Sequence, residues 1–289
     1  MSNAIELHNV SKNYKGFQVK DLSFEVKRGF VTGFIGANGA GKSTTIKMIL
    51  NLVKKDSGSI SILGMDYGQD EQKIKEKIGF VFDENVFYED LTLKQLKRII
   101  APAYKQWDET IFRNYVEQFE LPQNLKIKKM SKGMKMKTSL AFALSHHAEL
   151  IIMDEPTSGL DPVFRREILE ILYDIMQDEK KTIFFSSHIT TDLDRIADYI
   201  TFIHNGHLVF SKEFHTISEE YAIVKGSNEL LDQDTEKEFI SIRKTDSGFE
   251  ALSKNITRVK QLFGKTVLIE KPSLEDIMYF TKKGGSFHV

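Results

Sequence analysis

The chain has no cysteine, which excludes disulfides, thiolate metal sites and cysteine nucleophiles. It also lacks long apolar runs: stretches such as Leu150 to Met153 and Ile183 to Phe185 fall far short of the ~20 residues needed to cross a bilayer. Charge of one sign is missing too. Its 40 basic and 41 acidic side chains leave a formal net charge of −1, so no global field draws it to nucleic acid or an anionic membrane surface. Prolines number only five, and there is no repeat or low-complexity tract. The opening stretch MSNAIELHNVSKNYKG is polar, without the apolar core and small-residue cleavage site of a secretory signal. A cytoplasmic protein is therefore expected, with any membrane role supplied by a partner.

What remains is an ordinary globular composition, 41% hydrophobic and 28% charged over 289 residues, enough for about two domains. The most informative stretch is GANGAGKST, Gly36 to Thr44. It follows the apolar run Phe30 to Ile35 and precedes Thr45 to Leu50. A buried strand that turns through glycines into a helix makes a phosphate receptor, because unpaired amides and the positive end of the helix dipole converge there. The spacing of Gly36, Gly41, Lys42 and Ser43 satisfies the P-loop pattern. Lys42 is expected to reach the β- and γ-phosphates and Ser43 to ligate Mg²⁺, with Asn38, Gly39, Gly41 and Thr44 completing the nucleotide-binding set.

Around this loop the pattern is that of a mainly parallel α/β sheet. Ile5 to Val10, Val19 to Val26 and Ser59 to Leu63 read as strands, Asp70 to Lys77 as an exposed helix, and Ile78 to Phe82 and Leu150 to Met153 as buried strands. Between Asn85 and about His147 no strand-like run occurs, which suggests an inserted helical lobe broken at Pro102 and Pro122. Asp161 caps the next helix, Pro162 fits its first turn, and Phe164, Ile168, Ile171 and Ile175 recur at helical spacing, with Lys180 and Lys181 at its carboxyl end. Thr182 to Phe185 is another core strand. A helix opens near Thr191, with Asp194 completing a capping-box-like pair. Tyr199 to His204 and His207 to Phe210 form a hairpin across Asn205-Gly206. Beyond about Lys212 a small α+β appendage is expected: strand Phe239 to Arg243, a turn at Asp246 to Gly248, helix Glu250 to Phe263 closed by Gly264, strand Thr266 to Glu270, and a capped helix from Ser273.

Asp154 and Glu155 end an apolar strand. In a parallel sheet ligands bind at the carboxyl ends of strands, so both carboxylates should face phosphates held by the first loop. Asp154 is expected to hold Mg²⁺ and Glu155 to take a proton from an attacking water.

Taken together, GANGAGKS at 36–43, MSKGM at 130–134, LIIMDEPTSGLDP at 150–162 and SSH at 186–188 resemble the ordered motifs of ABC-transporter ATPase subunits. The likeness covers about residues 1–211, leaving 212–289 as an accessory domain. It implies a P-loop ATPase fold with antiparallel N-terminal strands and a helical subdomain at about 85–147, and ATP with Mg²⁺ as ligands. Position by position, it implies that Ser131 and Gly133 touch the γ-phosphate bound by an opposite subunit. Asp161 lies in a loop crossing that interface, His188 contacts the γ-phosphate and orders the lytic water, and Tyr14 stacks on adenine. It further implies a homodimer, or a heterodimer with a related chain, docked on a separate transmembrane permease at the cytoplasmic face. The permease contact is expected around Asp83 to Tyr104, where Phe87, Tyr88 and nearby Trp107 either build the contact or form lobe core. The chain looks most like bacterial export subunits, including those for bacitracin-like or phenol-soluble-modulin peptides, and the ending PSLEDIMYF at 272–280 fits that group.

Two departures stand out. The family's usual LSGGQ is here MSKGM, and where many members carry a glutamine, after IGFVF at 78–82, this chain has Asp83, which can bind Mg²⁺ but lacks an amide donor. Six lysines, Lys126, Lys128, Lys129, Lys132, Lys135 and Lys137, make a basic stretch that is either a solvated helix start or, at Lys132, added charge near the opposite γ-phosphate. The rival classes are a soluble ABC-type ATPase of translation or DNA maintenance, which should show two cassettes, a long coiled-coil insertion or a basic arm, and a small-molecule kinase, which leaves Ser131, Gly133 and His188 without work.

Overall fold

Alternating burial along the first two runs produces the long antiparallel strands β1 (Asn3–Tyr14) and β2 (Phe17–Lys27). The computed structural model describes residues 2–82 and 87–284. The chain continues through β3 (Val31–Ile35), α1 (Lys42–Ile49), β4 (Ser57–Ile62), α2 (Tyr67–Lys77) and β5 (Ile78–Val81). Next come the helices α3 (Leu93–Ile100), α4 (Glu109–Gln118) and α5 (Lys132–Leu144). Alternation then resumes with β6 (Leu150–Asp154), α6 (Pro162–Ile175), β7 (Thr182–Ser187), α7 (Thr190–Ile196), β8 (Tyr199–His204) and β9 (His207–Glu213).

The central sheet has the order β5-β6-β7-β3-β8-β9 and is parallel from β5 to β8. Every residue of β3, β6 and β7 is buried, as expected for strands covered on both faces. A second sheet, β2-β1-β4, is antiparallel. The two share one apolar core, in which Phe24, Phe34 and Phe184 lie with ring centroids 5.2–6.1 Å apart. Asn205 and Gly206, both at positive φ (47° and 78°), make the turn between β8 and β9, the geometry that two-residue hairpins favour.

The helical stretch packs on an aromatic cluster. Phe87, Trp107 and Phe112 all lie within 6.0 Å of the Phe142 ring. Phe87 and Trp107 are therefore lobe packing, whereas Tyr88 is 72% exposed. The basic stretch is neither free nor uniformly solvated. Lys126 and Lys128 pair with Asp90 at 3.5 and 2.7 Å, Lys135 with Glu89 at 3.8 Å, and Lys137, itself buried, with Glu167 at 2.6 Å.

Several expected boundaries shift. α6 ends at Ile175, before Lys180 and Lys181, and its buried stripe is Ile168, Leu169, Leu172 and Ile175, so Ile171 and Phe164 do not belong to the core face. α7 starts after Ile189 without a side-chain cap, so Thr191 and Asp194 form no capping box; the Ser187 hydroxyl instead accepts from the Ile189 amide at 2.9 Å.

The chain divides into two compact units, Met1–Ser211 and Lys212–Val289. The second holds α8 (Phe214–Glu220), β10 (Ala222–Gly226), β11 (Ser241–Thr245), β12 (Gly248–Ser253), α9 (Ile256–Phe263), β13 (Leu268–Glu270) and α10 (Leu274–Lys283). Its antiparallel sheet runs β11-β12-β10-β13 around a core including Val224, Phe239, Phe249 and Phe263. Residues Glu250 to Ser253 are strand, not helix, because β12 pairs with both β10 and β11; α9 begins only after the cap Asn255, whose side chain accepts from the Arg258 amide. The expected cap of α10 is present as a full capping box between Ser273 and Asp276.

Candidate functional site

Gly36 follows β3 and lies against β8. A β-carbon there would lie 2.5 Å from the Ile203 carbonyl oxygen and 3.0 Å from the Ala40 side chain, so only glycine lets the loop take this path. Gly41, at φ +113°, precedes α1, which has neither a side-chain cap nor an acidic residue in its first turn. Its leading amides therefore lack a side-chain partner from the helix's own start, and the dipole is uncompensated there. Within the loop Asn38, Gly39 and Ser43 are exposed and Thr44 is half-buried.

Lys42 is 6% exposed. Its Nζ donates to the Gly36 carbonyl at 2.7 Å and stands 3.1 Å from Glu155 Oε1. On the other side of the loop, Gly39 and the exposed Tyr14 line one cleft of about 500 Å³, together with Phe17 and Asn205. Lys12 Nζ lies 5.6 Å from the centre of the Tyr14 ring and pairs with Asp56 at 2.7 Å.

The two carboxylates follow from the register of the sheet. β6 and β7 are parallel with Asp154 opposite Ser186, and the Ser186 hydroxyl donates to Asp154 Oδ1 at 2.7 Å. Glu155 then turns out of the strand with φ +49°, in a left-handed conformation that costs a non-glycine residue about 1–2 kcal/mol. Its amide donates to the Ser186 hydroxyl at 3.0 Å and to the Ser186 carbonyl at 3.1 Å. That strained turn aims its carboxylate back at the P-loop. Oε2 accepts from the His188 amide at 3.2 Å and lies 2.6 Å from His188 Nδ1. Because the carboxylate can only accept, Nδ1 carries the proton and Nε2 is left for other partners. Lys42, Glu155 and His188 thus meet at the ends of three neighbouring strands, β3, β6 and β7.

Ser131 and Gly133 belong to α5 rather than to this cluster. Ser131 is exposed and caps the helix, accepting from the Met134 amide at 3.2 Å. Gly133 is buried, and a β-carbon on it would fall 2.2 Å from a ring carbon of Phe164. Lys132 reaches Gly159 of its own chain, its Nζ 3.4 Å from where a β-carbon would sit. Asp161 is spent on its own helix, accepting from the Val163 and Phe164 amides at 3.1 and 3.0 Å. Asp83 lies outside the described residues.

These residues fit a nucleoside triphosphate: a glycine-built loop, a buried lysine at its mouth and an aromatic beside an open cleft. They also suit Mg²⁺, whose needs are one or two carboxylates plus hydroxyl, phosphate and water oxygens rather than a dedicated cage. Asp154 and Ser43 are hard oxygen donors of that kind, and no cluster of three or more His, Asp or Glu able to hold a metal exists among the described residues.

Comparison with known proteins gives the same reading. The family model described as ABC transporter matches residues 19–158. The bacitracin transport ATP-binding protein BcrA of Bacillus licheniformis is 35% identical over 212 residues, covering 72% of this chain and 69% of that protein. The chain belongs to the ABC transporter family. As a member it binds ATP and is an ATPase. The ABC transporter ATP-binding protein YtrB of Bacillus subtilis is 32% identical, over 75% of this chain and 74% of that one. The lantibiotic transport ATP-binding protein SrtF of Streptococcus pyogenes is 32% identical, over 73% and 91%. Among solved structures, an ATP-binding subunit of an ABC transporter superposes with a TM-score of 0.66 at 31% identity, covering 75% of this chain and 92% of that one. A dimeric ATP-binding cassette bound to ADP and Pi shares the fold at a TM-score of 0.64 and 23% identity, over 72% of this chain and 98% of that one. No helix among the described residues of this ABC protein is long and apolar enough to cross a membrane.

Three contributors were not singled out from the sequence. Ser186 bridges the two carboxylate-bearing residues, and only its place beside the SSH motif hinted at it. Phe164 packs on Gly133. Asp192 is 3% exposed and accepts from Thr157 and Arg165 at 2.7 and 2.6 Å; no local pattern marks it. Asp194, expected as part of a helix cap, makes none, and burial pushes its carboxyl up.

Proposed function

We propose that this ATPase is the motor subunit of a bacterial peptide exporter, acting as a homodimer at the cytoplasmic face of the membrane on a separate transmembrane permease. What carries the reading is the meeting of Lys42, Glu155 and His188 at the carboxyl ends of β3, β6 and β7.

In this reading adenine rests on Tyr14, in the cleft shared with Gly39, and the phosphates lie on the amides of Asn38, Gly39, Gly41, Lys42, Ser43 and Thr44. Lys42 exchanges Glu155 Oε1 for phosphate oxygens. The released carboxylate takes the proton of the attacking water, while His188, oriented through Nδ1 by Oε2, contacts the γ-phosphate. Ser43 and Asp154 would hold Mg²⁺, which when bound neutralises charge on the β- and γ-oxygens. Ser131 retains its hydroxyl proton for a phosphate of the second copy, since its own helix uses it only as an acceptor. Gly133 stands beside it. ATP then favours the closed dimer and hydrolysis withdraws that preference, the differential affinity a conformational motor requires.

We assign the ATPase role to residues 1–211, permease contact to the lobe at about 85–147, and an accessory role to 212–289. Support for a peptide cargo comes from the names of BcrA and SrtF, which speak of bacitracin and lantibiotic transport.

The test is co-expression with the proposed transmembrane permease, followed by purification in detergent and reconstitution. A stable complex whose ATPase rate rises several-fold with a cyclic or lanthionine peptide supports the proposal. A chain that leaves the membrane protein behind, or an ATPase indifferent to such peptides, contradicts it.

A further inference from the structure

We propose that Asp192 is a positioning residue for ATP hydrolysis, locking the segment that carries Glu155 to the helix that follows His188. The inference rests on reading Glu155 and His188 as the hydrolytic pair.

Glu155 and His188 leave different strands, and each is followed by a turn and a helix. Thr157 lies two residues beyond Glu155, is 1% exposed, and its hydroxyl donates to Asp192 Oδ2 at 2.7 Å. Asp192 sits in the first turn of α7, four residues beyond His188, with its amide bonded to the Ile189 carbonyl at 3.3 Å. Its second oxygen, Oδ1, accepts from the Arg165 guanidinium at 2.6 Å, and Arg165 is anchored in the first turn of α6, just past Asp161. One carboxylate therefore fastens three pieces of chain: the turn after Glu155, the start of α6 and the start of α7.

This arrangement costs the protein something. Asp192 is withdrawn from water, and Arg165 Nε is buried with no hydrogen-bond partner, a loss of about 1–3 kcal/mol in comparable cases. A buried charge pair is weak as a source of stability but strong as a source of fixed geometry, because both oxygens have defined partners. Ser186 holds the Glu155 amide, and Glu155 Oε2 meets the His188 amide and ring at a partly exposed contact; the Thr157–Asp192 bond adds a buried tie between the segments that follow the two residues. With that tie in place, the base and the γ-phosphate histidine keep one relative orientation. Without the buried tie, the chain beyond Glu155, whose turn is strained at φ +49°, can shift against α7 and tilt the carboxylate away from His188.

The experiment compares full-length Thr157→Val, Thr157→Ser and Asp192→Asn with the wild type, measuring steady-state ATPase and, separately, affinity for a fluorescent ATP analogue. Thr157→Val is nearly isosteric and deletes one hydrogen bond, so it decides the matter if Asp192→Asn does not fold. The expected result is a kcat about ten- to a hundredfold lower in Thr157→Val. KM and analogue affinity should stay within about twofold of the wild type, and Thr157→Ser should recover most of kcat. An undiminished kcat in Thr157→Val overturns the proposal. So does a kcat that falls together with analogue affinity and thermal midpoint, since that is plain destabilisation. Glu155→Gln run in parallel separates the two readings: if that variant keeps its ATPase rate, the assignment of the base has failed, whatever Thr157 does.

Discussion

Glu155 Oε2 and His188 Nδ1 lie 2.6 Å apart although the two side chains leave the separate strands β6 and β7. The pairing gives each a distinct mutational signature. Glu155→Gln keeps an acceptor and the shape of the side chain but cannot take a proton. Its kcat should fall about 10²- to 10⁴-fold, roughly 3–5 kcal/mol of barrier, while ATP affinity holds. His188→Ala should lower kcat comparably. Single-turnover hydrolysis with radiolabelled ATP reads both; a Glu155→Gln variant within about threefold of wild type would remove the base assignment.

Gly133 is fixed by Phe164 of the same chain. A β-carbon 2.2 Å from an aromatic carbon cannot be absorbed without moving α5 or α6, and overpacking of this kind costs about 1–3 kcal/mol. Gly133→Ala should lower the urea midpoint accordingly, and Phe164→Leu in the same chain should recover part of it. If Gly133→Ala has the wild-type midpoint, the requirement for glycine lies at the phosphate rather than at Phe164.

Tyr14 borders the cleft that Gly39 shares, so its ring, not its hydroxyl, should matter for the nucleotide. Stacking of a base on an aromatic contributes about 1–3 kcal/mol, which converts to a loss of about five- to a hundredfold in ATP affinity for Tyr14→Ala. Tyr14→Phe should bind like the wild type. Isothermal titration calorimetry decides, and equal losses in both variants would shift the role to the hydroxyl.

His146 should make stability sensitive to acid. Its ring is buried under Tyr104, with centroids 3.9 Å apart, and its Nδ1 and Nε2 lie 2.9 and 3.0 Å from the carbonyls of Phe142 and Ile78. Burial lowers its pKa from the ordinary value of about 6.5, outweighing the opposing pull of the two carbonyls. The unfolded chain therefore takes up a proton before the folded one does. The contribution is complete above that ordinary value and is lost as pH falls below it. Between pH 7.5 and 5.5 the wild type should lose more of its urea stability than His146→Gln. A gap between the two that does not change with pH contradicts this.

How legible the molecule was depended on the range of the interactions involved. β3 and β6 could be read because a fully buried parallel strand is a continuous apolar run, and the P-loop because its glycines and Lys42 are contiguous. β10 has no such signature: Ala222 to Gly226 is short, yet it is the strand that β12 and β13 flank. Glu250 to Ser253 reads as helix because Glu, Ala and Leu favour helices locally, and pairing on both edges overrides that preference. Glu155 and His188 were identifiable one at a time by motif, but their contact, the Gly133–Phe164 packing and the Asp192 bridge join residues about 30 apart, and no local pattern encodes them. The lysine stretch likewise looked unbalanced only because Asp90, Glu89 and Glu167 lie outside it in sequence.

The most direct test is the mass of full-length Glu155→Gln in solution, by sedimentation equilibrium, with and without saturating MgATP. A site completed by Ser131 and Gly133 of a second copy predicts a monomer of about 33.2 kDa without nucleotide and a dimer with it, abolished by Ser131→Arg. A variant that binds MgATP and yet stays monomeric, alone and beside its permease, would contradict the shared site.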